Sequence, residues 1–156
     1  MYGGGTKDPN RKSVHRVLVH SYFTTLIFFL IGAGLDIFLG LKIPDTAIIA
    51  PAGLGFLTAG TALIVWAQYA SHHFVKDNLS HENFRRGPYR YTRNPTYWGL
   101  FLVLLGFGLA WNAVFVIVFT IISLFVTKTI FLKGEEAILE EKYGDAYMEY
   151  KKSVHI

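Results

Sequence analysis

The sequence contains no cysteine and few charged residues. Without cysteine, the chain has no disulfide, no thiolate metal ligand and no cysteine nucleophile. Only 17% of its 156 residues are charged and 52% are hydrophobic, whereas about 25% of residues are charged in an average soluble domain. Because a soluble protein must cover its surface with polar groups, this composition predicts a single integral membrane domain over residues 1–156.

The apolar residues fall into long runs that can cross a bilayer as helices. The predicted spans are about 18–41, 48–70, 97–110 and 113–132. As one helix, residues 97–132 would measure about 54 Å, which exceeds the ~30 Å hydrocarbon core, so we expect a turn at Trp111 and Asn112. The predicted fold is all-α and integral to the membrane, with four transmembrane helices, the last two a tight hairpin, and a cytoplasmic C-terminal helical segment.

Small and polar residues interrupt the first two apolar runs. We expect the glycines to allow close packing between membrane helices, and they are Gly32, Gly34, Gly53 and Gly60. Asp36 falls near the non-cytoplasmic end of the first span, where we expect it to reach the interface. Gln68 falls near the cytoplasmic end of the second span, where it can line a pocket.

The basic residues are concentrated on one side of the predicted bundle. They are Lys7, Arg11, Lys12 and Arg16 before the first span, Lys76, Arg85, Arg86, Arg90 and Arg93 between the second and third, and Lys128, Lys133, Lys142, Lys151 and Lys152 at or after the end of the fourth. The positive-inside rule therefore places both termini and the 71–96 loop in the cytoplasm. The start of the chain is polar and basic for too long to be a cleavable signal peptide, so we expect the first span to be retained.

The predicted cytoplasmic loop ends in a segment rich in turn formers, aromatics and arginine, GPYRYTRNPTY at residues 87–97. Asn94 and Pro95 are typical of a helix N-cap followed by proline at the first helical position. The free N–H groups of that helix start, with Arg93 beside them, can bind an anion. Alternatively, Arg90 and Arg93 only reach the lipid headgroups while Asn94 and Pro95 begin a helix.

A second polar segment follows the fourth span. Residues 132–143 are predicted to continue a helix that ends at Gly144, with a short helix after it. Glu135 and Glu136 lie close to the membrane surface, where they can balance a cationic ligand or pair with Arg90 or Arg93. The alternative is a solvated interfacial helix held by Glu–Lys pairs.

Metal and nucleic-acid sites are not predicted. His72 and His73 point about 100° apart on a helix, and the six histidines have no ligand spacing, so we expect no metal site. The aromatic residues sit mostly inside apolar runs and not among the arginines, which argues against nucleic-acid binding. The sequence leaves the oligomeric state open.

The two polar segments together resemble a known family. Residues 87–99 resemble the G-P-Y-R-x-x-R-H-P-x-Y-x-G segment of isoprenylcysteine carboxyl methyltransferases and related membrane phospholipid methyltransferases. After a hydrophobic hairpin, residues 135–154 resemble that family's E-E-x-x-L…(F/Y)-G-x-x-Y-x-x-Y-K-x-x-V ending. The resemblance covers roughly residues 84–154, and the first two spans match only in being spans.

The resemblance implies a cytoplasmic pocket for S-adenosylmethionine, with S-adenosylhomocysteine as product, formed by residues 84–99 and 133–154. It implies that Arg93 and Glu136 are the catalytic residues. The residues implied to bind the cofactor are Gly87, Pro88, Tyr89, Arg90, Asn94, Pro95, Tyr97 and Glu135. Asn94 departs from the family pattern, which has histidine there, and asparagine can hydrogen-bond but cannot act as a base.

The implied function is methyl transfer to a lipophilic acceptor, either a prenylcysteine-like carboxylate or a lipid headgroup, drawn from the membrane lipids around the chain. A carboxylate acceptor needs no base, whereas an amine acceptor would need one, and Glu136 and Tyr89 are the candidates. The alternatives are a non-catalytic four-span scaffold or sensor and a membrane reductase of related fold. A scaffold predicts that the two polar segments lie apart, and an enzyme predicts that they meet at one pocket.

Overall fold

The computed structural model describes residues 14–43, 47–72 and 85–154. The predictions made for Lys7, Arg11, Lys12 and Lys76, and for the first residue of the 84–99 segment, lie outside these ranges.

The described residues form helices and turns, with no strand among them. The helices are α1 (Val14–Leu39), α2 (Ile49–His72), a 3₁₀ turn (Gly87–Arg90), α3 (Pro95–Ala110), α4 (Val114–Val126), a π turn (Thr127–Phe131), α5 (Leu132–Tyr143) and α6 (Asp145–Ser153). The all-α prediction is confirmed. α3 ends and α4 begins on either side of the predicted turn, and Gly144 separates α5 from α6 as predicted. The fourth predicted span continues through the π turn into α5, as predicted for residues 132–143.

Three stretches of helix are long and apolar enough to cross a membrane within the described ranges, and they are Arg16–Leu39, Ile49–Ser71 and Val114–Glu141. Their outward faces carry large apolar side chains such as Ile37 and Phe38, which are 86% and 85% exposed. Such faces suit a lipid solvent. α3 is the short arm of the hairpin: its 16 residues measure about 24 Å, less than the ~30 Å of a hydrocarbon core.

The helices pack in two close pairs, α2 with α3 and α1 with α4. Glycine makes both contacts possible, because a Cβ on Gly53 would lie 2.5 Å from the backbone nitrogen of Ala110 and one on Gly60 would lie 2.6 Å from the carbonyl oxygen of Gly99. A Cβ on Gly32 would lie 2.9 Å from the carbonyl oxygen of Phe115. The packing role predicted for these three glycines is confirmed. The same prediction is wrong for Gly34, which has nothing within 4 Å of its Cβ position.

Two polar side chains fasten the end of the bundle where α1 ends and the 111–113 turn lies, which we call the distal end. Asn112 has a φ of 56°, and its side chain accepts from the N–H of Ile43 at 2.7 Å and donates to the Ile43 carbonyl at 3.0 Å. Asp36 accepts from the N–H groups of Phe115 and Val116 at 3.0 and 2.8 Å. Asp36 is 7% exposed and caps the start of α4. The prediction that it reaches the interface is therefore wrong.

Candidate functional site

The opposite end of the bundle, where α2 ends and α3 begins, carries most of the polar side chains singled out in the sequence; we call it the site end. There the 3₁₀ turn rests on the last turns of α2. Gly87 has a φ of +56°, and a Cβ on it would lie 2.9 Å from the Cβ of Ala70 and 3.2 Å from the indole nitrogen of Trp66. Only glycine fits this backbone conformation at this distance. Pro88 is buried beside it, so Gly87 and Pro88 fix where the following residues lie.

Asn94 and Pro95 begin α3 at the predicted positions. The side chain of Asn94 makes no capping hydrogen bond, which differs from the expectation that asparagine caps this helix. The Asn94 N–H instead donates to the hydroxyl of Thr92 at 3.2 Å. The amide group of Asn94 is therefore not used as a cap, and Asn94 lines a cavity described below.

A network of ion pairs joins the two polar segments. Nη1 of Arg93 lies 2.7 Å from one carboxylate oxygen of Glu136, and Nζ of Lys151 lies 2.9 Å from the other. Lys151 also lies 2.6 Å from the carboxylate of Glu140. The side chains of Arg93 and Glu136 are only 16% and 15% exposed, so this pair is shielded from solvent and stronger than a surface ion pair.

α6 folds back onto the 3₁₀ turn and completes the site end. Tyr147 and Tyr150 of α6, and Val154 directly after it, are buried against side chains of α5. The hydroxyl of Tyr150 donates to the carbonyl of Tyr89 at 2.8 Å. Burial raises the pKa of Tyr89, Tyr147 and Tyr150 above the ordinary value. These hydroxyls therefore stay protonated at neutral pH, so they can donate hydrogen bonds but are poor bases.

Glu135 has different surroundings from its neighbour Glu136. Its Oε2 atom is buried and has no hydrogen-bond partner among the described residues. The hydroxyl of Tyr97 lies near both Glu135 and Ser21, yet neither that hydroxyl nor the hydroxyl of Ser21 makes a well-formed hydrogen bond within the described part of the chain. Buried polar atoms without partners are rare in proteins and call for a ligand or an ordered water.

Two openings adjoin these residues. A cavity of about 170 Å³ is lined by Arg93, Asn94, Tyr97, Trp98, Leu124, Thr127, Lys128 and Leu132. A larger, mostly apolar groove of about 450 Å³ lies between α1, α2 and α3 and is lined by Tyr22, Thr25, Leu26, Phe29, Ile64, Gln68, Thr96, Leu100 and Leu104. A narrow gap of about 10 Å³ lies between them; it shares Tyr97 with the cavity and Thr25 with the groove.

The structure brings together most of the residues singled out in the sequence. Arg93 meets Glu136, Gly87 and Pro88 support the turn that carries Tyr89, and Gln68 lines the groove as expected. Arg90 is apart from this network, since it is exposed and its guanidinium carbon lies 5.8 Å from the ring centre of Tyr91.

Sequence reasoning missed three contributors to the site end. Lys151 belongs to the second sequence motif, but that motif did not predict its ion pairs with Glu136 and Glu140. Nζ of Lys128 lies 4.7 Å from the ring centre of Trp98. Its unusual position at the end of an apolar span was the signal that could have identified it. Ser21 had no signal at all, because serine is common in membrane helices.

Comparison with known proteins gives one match. The model of a family described as phospholipid methyltransferase matches residues 47–146, which are about two thirds of the chain and include both polar segments up to the start of α6. No curated protein and no solved structure matches the chain.

Proposed function

Because the chain belongs to the phospholipid methyltransferase family, we propose that it transfers a methyl group from S-adenosylmethionine to a lipophilic acceptor in the membrane. The acceptor is a prenylcysteine-like carboxylate or a lipid headgroup. The observation that carries this proposal is the 2.7 Å contact between Arg93 and Glu136, which joins two segments that a scaffold would leave apart. The family is one of methyltransferases, and its membrane setting agrees with the apolar helices.

The residues of the site end suit the cofactor that we propose. S-adenosylmethionine supplies a methyl group on a positively charged sulfur, and its amino-acid part carries a carboxylate and an ammonium group. The cavity beside Arg93 offers the Asn94 amide and a buried Nε of Arg93 that lacks a hydrogen-bond partner in the described ranges. A guanidinium and an amide are suitable donors for a carboxylate.

Arg93 and Glu136 act in this proposal by holding the site in one geometry. Methyl transfer is an in-line displacement, and correct positioning of the reactants can be worth about 7–11 kcal/mol. Glu136 fixes Arg93, and Lys151 fixes Glu136 from the other side. Both oxygens of Glu136 are thus engaged, and Tyr89 has a raised pKa because of burial. Neither residue is therefore well suited to the role of base for which the sequence suggested them.

The groove provides a route for the acceptor. It is lined mainly by apolar side chains of three membrane helices, and its polar liners Thr96 and Gln68 lie near the site end. A lipid or prenyl chain in this groove would enter sideways from the bilayer and present its polar end to the cavity. The cofactor would enter from the water on the side of the polar segments, which the charge distribution predicts to be the cytoplasm.

Calorimetric titration with S-adenosylhomocysteine tests the proposal, using the full chain in detergent micelles. Wild type should bind saturably, and Glu136→Ala should lose binding because Arg93 and Lys151 lose their shared partner. Glu141→Ala is the matched control, since Glu141 is exposed on the same helix. Absence of binding to folded wild type would refute the methyltransferase proposal, and equal loss in both variants would refute the role of Glu136.

A further inference from the structure

The arginine-rich segment that carries the 3₁₀ turn contains two cations that the candidate site does not use. Residues 85–93 read RRGPYRYTR, with four arginines and no acidic residue. Arg93 pairs with Glu136. Arg85 and Arg90 are exposed, and neither forms an ion pair with a carboxylate within the described ranges. Their guanidinium groups therefore face the surroundings of the protein and can bind a ligand from outside the chain.

The packing of the 3₁₀ turn places these arginines at the depth where the apolar part of α2 ends. The stretch of α2 that can cross a membrane is Ile49–Ser71. A Cβ on Gly87 would lie 2.9 Å from Ala70 and 3.2 Å from Trp66, so the turn lies beside the last two turns of that stretch. Along the helix axis, Trp66 is only about 8 Å from the end of the stretch. The turn is thus at the level of the lipid headgroups and not in the water beyond them.

Exposed aromatic rings occupy the same level. Trp66 and Tyr69 of α2 are 48% and 71% exposed, and Tyr91, directly after the 3₁₀ turn, is 67% exposed. Tryptophan and tyrosine are enriched where a spanning segment meets the headgroups, because one part of the ring is apolar and the other is polar. The Arg90 guanidinium lies 5.8 Å from the ring centre of Tyr91. We call these three aromatic residues, together with Arg85 and Arg90, the interfacial surface.

The interfacial surface has the charge and the donor geometry that suit a phosphate group. A guanidinium is a planar fork of N–H donors that matches phosphate oxygens, and it is more weakly hydrated than an ammonium group. Among the described residues, the exposed carboxylates of the site end lie on α5 and α6, at Glu141, Asp145 and Glu149. Since the turn itself has no acidic residue, an anion that approaches it meets no carboxylate in the same segment. At headgroup level, the abundant anions are the phosphates of lipids.

We propose that Arg85 and Arg90, together with the rings of the interfacial surface, bind the phosphate groups of anionic phospholipids in the leaflet at the site end. A zwitterionic headgroup has its own cation beside the phosphate, whereas an anionic headgroup has none, so the anionic lipid gains more from the two arginines. The charge distribution predicts that this leaflet is the cytoplasmic one, and cytoplasmic leaflets carry anionic lipids.

The inference goes beyond the proposed function, since it does not depend on methyl transfer. It also assigns Arg90 to the lipid surface, whereas the family resemblance implied that this residue binds the cofactor. The exposure of Arg90 and its position apart from the ion-pair network agree with the lipid assignment.

Quenching of tryptophan fluorescence by brominated phospholipids tests the proposal, with the full chain reconstituted in phosphatidylcholine bilayers. The chain has three tryptophans, so Trp98→Phe with Trp111→Phe leaves Trp66 as the only reporter. Brominated phosphatidylglycerol should quench Trp66 at a mole fraction at least about fivefold lower than brominated phosphatidylcholine does, because each arginine near an anionic surface strengthens the attraction about fivefold. Equal quenching by the two lipids, or loss of the preference when inorganic phosphate is added at constant ionic strength, would overturn the proposal.

Two double variants in the same background assign the preference to the arginines. Arg85→Gln with Arg90→Gln should bring the two quenching curves together. Lys133→Gln with Lys152→Gln removes the same charge from exposed positions on α5 and α6, and it should keep the preference at Trp66. Loss of the preference in both double variants would indicate a general effect of net charge and would overturn the assignment to Arg85 and Arg90.

Trp111 provides the control for the opposite leaflet. It is exposed at the distal end, and Trp66→Phe with Trp98→Phe leaves it as the only reporter. Anionic and zwitterionic brominated lipids should quench Trp111 at similar mole fractions, because the interfacial surface is at the other end of the bundle. A preference for the anionic lipid at Trp111 as large as that at Trp66 would overturn the inference.

Discussion

Each end of the bundle holds a shielded carboxylate, but the two have opposite surroundings. At the distal end, both oxygens of Asp36 accept backbone N–H groups at the start of α4. At the site end, Oε2 of Glu135 has no hydrogen-bond partner among the described residues, and hydroxyls without partners lie beside it. A satisfied buried group stabilises a fold, whereas an unsatisfied one weakens it and is retained where a ligand completes it. From this comparison we expect Asp36 to be structural, and we propose that Glu135 is functional.

Replacing each carboxylate with a neutral residue should give the largest difference between the two ends of the bundle. Asp36→Ala leaves two shielded N–H groups without acceptors, at about 1–3 kcal/mol each, so it should lower the free energy of unfolding by about 2–6 kcal/mol. Glu135→Gln should leave that free energy unchanged or raise it, because an uncompensated charge is removed. Equilibrium unfolding in mixed micelles measures both, with Asp36→Asn as a milder control that keeps one acceptor. Equal destabilisation by Asp36→Ala and Glu135→Gln would contradict the distinction.

Substitutions at two glycines with positive φ should have effects of intermediate size on stability, and they compare the same two ends of the bundle. Gly40 at the distal end (φ +63°) has nothing within 4 Å of its Cβ position, whereas Gly87 at the site end (φ +56°) faces Ala70 and Trp66. Gly40→Ala should therefore lower the free energy of unfolding only by the cost of a left-handed conformation, about 1–2 kcal/mol. It should keep S-adenosylhomocysteine binding. Gly87→Ala should lose more stability and also weaken that binding, because the 3₁₀ turn must shift away from α2. Thermal unfolding with calorimetry distinguishes them, and undiminished binding by Gly87→Ala would show that the turn does not shape the site.

The smallest effect should come from the partly exposed end of the ion-pair network. Hydrogen bonds to Glu140 and then Glu136 raise the pKa of Lys151 above its ordinary 10.5. Because the folded pKa is the higher one, the stabilisation is fully present below pH 10.5 and is lost as pH rises through the folded value. Lys151 is 38% exposed, so Lys151→Gln should cost under about 1 kcal/mol at pH 7, with no further change between pH 6 and about pH 9. A stability difference that varies across this pH range would point to another titrating group.

The sequence predicted the parts of the fold that local chemistry decides. The turn at Trp111 and Asn112 follows from the length of the apolar run, and the start of α3 follows from Asn94 and Pro95. Pairing of the Glu135 and Glu136 carboxylates with Arg90 or Arg93 was one alternative that the sequence left open, and the structure pairs Arg93 with Glu136. The roles of Ser21 and Asp36 were not predictable, because each depends on the angle at which α1 crosses a helix far along the chain. Gly34 shows the same limit, since spacing alone does not tell which side of a helix faces a neighbour.

The cap that Asp36 provides also constrains the order in which the helices can pack. Its two N–H donors belong to residues that come 79 and 80 positions later in the chain. While a ribosome makes those residues, α1 is already complete but its carboxylate still lacks the donors that allow it to be buried in the apolar interior. α1 can settle against α4 only after the 111–113 turn has been made, so the first helix to be synthesised is among the last to reach its final packing.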